Sequence, residues 1–169
     1  MRRILMVIDN MNEWVGRWIT FLPYAFVLIV CTEVILRYGF NDPTIWLPVV
    51  VTMTAAGMYA LSFGYIFLHD GHVRIDIFSR LLSRRGKAIL EVVLGVLFFF
   101  PVIGALTYSG AQWVWFAWST DERSQQTFWY APIAPIRTVV LIGLLLFLLQ
   151  GVAIFVRDLE IIFGRKEAP

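Results

Sequence analysis

Between residues 92 and 120 the chain contains no Asp, Glu, Lys, Arg or His, and that stretch decides the class of protein. A helix in a water-soluble bundle needs a polar face recurring about every 3.6 residues, which this run cannot provide. A membrane crossing needs about 20 mostly apolar residues to cover a hydrocarbon core about 30 Å thick, and the run exceeds that. Composition points the same way: 59% of the residues are hydrophobic and 15% charged, with a mean hydropathy of +0.74, whereas soluble domains are about 25% charged.

Four spans are predicted, at about 18–36, 46–68, 88–110 and 133–156. The expected fold is therefore all-α and integral to the membrane, one domain over residues 1–169. Pro23 and Pro101 lie inside predicted spans and should kink them, while Pro48 and Pro135 fall in first turns, where the missing N–H is harmless. Arg2 and Arg3 precede an apolar stretch broken by Asp9 and Glu13, with no small-residue cleavage site after it. The first span is expected to be retained rather than removed as a secretory signal. The one cysteine, Cys31, excludes a disulfide framework and reads as packing.

Charge sets the expected orientation. Eleven of the 14 Lys and Arg residues fall in the amino-terminal segment, the connection after the second span and the carboxyl-terminal tail. Positive charge marks cytoplasmic loops, so both termini are expected in the cytoplasm. Tryptophans gather where an aromatic belt would lie: Trp14 and Trp18 at the inner end, and Trp46, Trp113, Trp115, Trp118 and Trp129 at the outer end.

Three segments lie outside the predicted spans. Residues 3–17 place Leu5, Ile8, Met11 and Val15 at helical spacing, with Asp9, Asn10, Asn12, Glu13 and Arg17 elsewhere; this reads as an interfacial helix or, on the same pattern, a docking helix for a partner. In residues 72–87, Ile75, Ile77, Phe78, Leu81 and Leu82 cluster opposite Arg80, Arg84 and Lys87, with Arg85 alongside. That is a basic amphipathic arm, whose arginines face anionic lipid headgroups or simply enforce topology. The outer connection 111–130 is aromatic, with Asp121, Glu122 and Arg123 at its tip. It is expected to prolong the third span as helix before turning back, and Trp115, Trp118, Glu122, Arg123 and Trp129 are candidates for docking a partner on the outer side.

No catalytic, cofactor, metal or nucleic-acid site is predicted. His69 and His72 could share a metal with Asp70 or Asp76, but a third clear ligand is missing. Phosphate loops, paired cysteines and a nucleophile elbow do not occur. Glu33 and Arg37, four residues apart, can pair along one helix face. They form either a self-neutralised structural pair or part of a relay, with Arg137 as a further candidate partner for Glu33.

Two local patterns carry a family resemblance. One runs from Glu33 through Arg37 and Asn41 to Pro43, followed by Trp46. The other is Gly71-His72-Val73-Arg74-Ile75-Asp76 after the second span. Together, in a four-span chain of this length, they resemble the small membrane subunit, DctQ-like, of tripartite ATP-independent periplasmic (TRAP) transporters. The resemblance implies a non-catalytic scaffold in a secondary, ion-gradient-driven (sodium) system. Its partners would be a large multi-span subunit that moves a small organic acid by an elevator motion, a periplasmic binding protein that delivers it, and membrane lipids. It also implies that Asn41 and Pro43 shape the outer turn, Trp46 anchors the second span, and His72, Arg74 and Asp76 organise the turn into the arm. One departure stands out: many members carry glutamates after the tryptophan, where this chain has Leu47, Pro48 and Val49. Competing readings are a membrane anchor for a haem- or quinone-linked redox complex and an autonomous small transporter.

Overall fold

The structure is a computed structural model and describes residues 2–69 and 83–164. It is helical throughout these residues, apart from connections and one isolated bridge between Arg123 and Pro132. Helix α1 (Arg2–Ile19) leads into α2 (Leu22–Val34), which continues as a π-turn at Ile35–Gly39. Next comes α3 (Leu47–Leu68). Helix α4 (Arg84–Leu94) passes through a second π-turn, Gly95–Phe99, into α5 (Phe100–Ser119), and α6 (Ala134–Ile162) ends the described chain. Four helical stretches are long and apolar enough to cross a membrane: Arg3–Gly39, Leu47–Leu68, Arg84–Ser119 and Ala134–Ile162.

Local chemistry explains several boundaries. Ser83 opens α4 by accepting a hydrogen bond from the Gly86 N–H at 3.2 Å, satisfying one of the donors a helix start leaves free. Pro101 cannot donate to the ladder, and the wide turn just before it absorbs the missing bond; the expected kink takes this form. Pro23 behaves differently from expectation. The chain breaks at Thr20–Phe21, and Pro23 sits in the first turn of α2, where proline is pre-organised, so it starts the crossing helix instead of bending it. At the far end of α2, Asn41 adopts a left-handed backbone (φ 55°), a conformation asparagine tolerates better than most residues. The Asp42 N–H then closes onto the Leu36 carbonyl at 2.9 Å.

Packing joins α2 to α3, α3 to α6, and α6 to α4 and α5. The described spans thus form a row rather than a closed ring. The central joint, α3 on α6, is made by small residues: a Cβ added to Gly143 would come within 2.4 Å of the Ala60 carbonyl oxygen. Where lipid removes most of the hydrophobic driving force, such close backbone approach and its dispersion gain hold helices together. Phe63 and Phe67 of α3, Phe99 of the second π-turn and Phe147 of α6 gather into one aromatic cluster, with centroids 5.1 to 5.7 Å apart, so that α3 also touches the third span there.

Helix α1 lies across the α3–α6 joint. Leu5 and Ile8 pack on Ala153 and Val156 of α6, while the Tyr65 ring of α3 covers Gly16. The stripe expected from the sequence is split by this arrangement. Leu5 and Ile8 face the protein together with Asn12 and Ile19, whereas Met11 is exposed in a second stripe with Ile4, Val7, Trp14 and Trp18.

Candidate functional site: polar joints at the two ends of the row

At the end where α1 lies, the polar residues sit inside the protein. Asn12, 1% exposed, donates from Nδ2 to the Ile8 carbonyl at 3.1 Å and to Gln150 Oε1 at 2.9 Å. Gln150, fully buried in α6, donates in turn to Asp9 Oδ1 at 3.1 Å, and the second Asp9 oxygen accepts from Arg157. The Asn12 Oδ1 atom makes no hydrogen bond among the described residues and lies against Gly64 of α3. One carboxamide therefore touches all three helices at their crossing. Asp9 and Asn12, expected on the solvated face of α1, are turned inward because Gln150 and Arg157 offer them partners there.

Beside this network, His69 Nε2 meets Glu13 Oε2 at 2.8 Å and closes the carboxyl-terminal end of α3 onto α1. The His69 hydrogen bond, aided by Arg17, holds the Glu13 carboxyl below its ordinary range despite an opposing contribution from burial. His69 is thus occupied by a carboxylate. Its suggested metal partners Asp70, His72 and Asp76 lie outside the described residues, as do Arg74 and Arg80. Among the described residues no cluster of three metal-ligating side chains occurs. Arg84 is exposed and Lys87 half-buried. Arg85, expected at lipid headgroups, is exposed and donates twice to the Ile162 carbonyl, at 3.1 and 2.8 Å. It satisfies a free acceptor at the end of α6, a position that attracts cations.

At the opposite end, Arg37 donates from Nε to Glu33 Oε1 at 3.1 Å, and the Thr44 hydroxyl donates to the other Glu33 oxygen. Glu33 is buried between α2 and the start of α3, so the pair is a joint between those elements. Arg137 does not reach it. Its guanidinium forms a two-pronged bond with Glu122, at 2.6 and 2.7 Å, and lies 5.5 Å above the Trp113 ring. This ties α6 to the tip of the connection after α5, because Glu122 is only fifteen positions before Arg137 and the loop folds back between them. Backbone bonds complete the fold-back: the Ser124 N–H to the Ala131 carbonyl at 2.8 Å and the Ile133 N–H to the Glu122 carbonyl at 3.1 Å.

The docking candidates separate accordingly. Glu122 is committed within the chain. Arg123 pairs with Asp121 at 2.7 Å, and the Trp118 indole donates to Thr138 at 3.0 Å. Trp115 is exposed, and Trp129 and Trp46 are each about half exposed. Asn41 and Pro43 form the exposed turn before α3. Leu47 and Val49, standing where glutamates are common in the resembling proteins, are buried. Those positions face inward here, where a carboxylate would lack solvation.

The sequence reading missed Gln150 and the Asn12 crossing. The signal was present: Gln150 is the one carboxamide in the apolar stretch 138–156. Polar side chains in a span mark helix–helix contacts, a rule that covers amides as well as charges.

The arrangement defines a class: a four-span membrane protein whose polar side chains largely serve to join its own helices. The model of the family described as tripartite ATP-independent periplasmic transporters, DctQ component, matches residues 26–161. The chain belongs to that family of transporter components. No match was found among curated proteins.

Proposed function

We propose that this chain is the non-catalytic small membrane subunit of a secondary transporter that imports a small organic acid using an ion gradient, sodium being the expected ion. It forms the stationary wall beside a large multi-span subunit that carries the substrate, and a periplasmic binding protein delivers that substrate transiently. The observation that carries this reading is the family match over most of the chain. The spending of ionisable groups on internal joints supports it. Glu33, Arg37, Glu122, Arg137, Asp9 and Arg157 are all paired, whereas a permeation path would present such groups to a cavity.

The Lys and Arg distribution supports a topology with both termini in the cytoplasm, and the family match supports a place in the inner membrane. In that orientation α1 lies along the inner leaflet, with Ile4, Val7, Met11, Trp14 and Trp18 towards the lipid and Arg3, Asn10 and Arg17 towards water. The test is uptake into proteoliposomes. Transport is expected only when this chain, the large subunit and the loaded binding protein are all present. Uptake by this chain alone would overturn the reading, as would a haem spectrum from the purified protein.

A further inference from the structure

We draw no further inference here: the strongest candidate, the exposed aromatic patch of Phe128, Trp129 and Tyr130 at the tip of the connection between α5 and α6, is an unpartnered apolar surface, and nothing in the structure shows what covers it.

Discussion

Replacing Gly64 with alanine probes the α1 crossing with a single methyl group. The added Cβ would lie 2.0 Å from Asn12 Oδ1, 3.0 Å from Asn12 Cγ and 3.4 Å from the Leu146 backbone. The last contact is tight but tolerable, while the first two force the carboxamide out of the joint. Displacement breaks the bond from Asn12 to Gln150 and strips Gln150 Oε1 of its donor. An interhelical hydrogen bond in a membrane is worth about 0.6 kcal/mol and at most about 1.7. A buried acceptor left unpaired costs about 1–3 kcal/mol, and alanine recovers about 1 kcal/mol of helix propensity. The net expectation is a loss of about 2 kcal/mol. Reversible unfolding in mixed detergent micelles measures it, and a double-mutant cycle identifies the cause. In an Asn12→Ala background the clashing side chain is gone, so Gly64→Ala should become neutral or stabilising by up to about 1 kcal/mol. An equal cost in both backgrounds, or no cost in the wild type, would refute the reasoning.

Three further outcomes are expected. Glu122→Ala should release Arg137 and the loop after α5; with the pair about a quarter exposed on each side, a loss of about 1–2 kcal/mol follows, read as faster tryptic cleavage at Arg123. Glu13 has a carboxyl pKa lowered chiefly by His69, so the attachment of α1 to α3 is fully stabilised above the ordinary glutamate pKa and is lost as pH falls through the lowered folded value. His69→Ala should return the Glu13 titration, followed by carboxyl NMR, towards the ordinary range. Asn41→Val should cost about 1–2 kcal/mol because a branched side chain opposes the left-handed backbone, whereas Asn41→Gly should be tolerated, both seen in the detergent unfolding midpoint.

Long-range periodicity and charge made the spans legible, because a helix in lipid must satisfy its backbone internally and show apolar groups outward. The Glu33–Arg37 pair was equally legible, being local at four residues. Contacts between distant elements were not. Nothing in the sequence placed Arg137 beside Glu122 instead of Glu33, since that choice depends on how the loop folds back. The inward turn of Asp9 and Asn12 was hidden for a related reason. A polar residue on an amphipathic helix normally faces water, and only a buried Gln150 and a nearby Arg157 reverse that preference. The bond from Arg85 to the Ile162 carbonyl was hidden because a basic residue near an interface suits a lipid phosphate and a helix terminus equally well.

The row of spans has a consequence for size. With neighbouring axes about 9 Å apart, four helices in a row extend up to about 27 Å between the outermost axes. The same four helices in a square would reach only about 13 Å along their diagonal. A short polypeptide thereby gains up to twice the frontage in the plane of the bilayer. Rotating or dragging such a broad body sweeps more lipid than a compact post of equal mass would, so its own shape resists displacement in the bilayer.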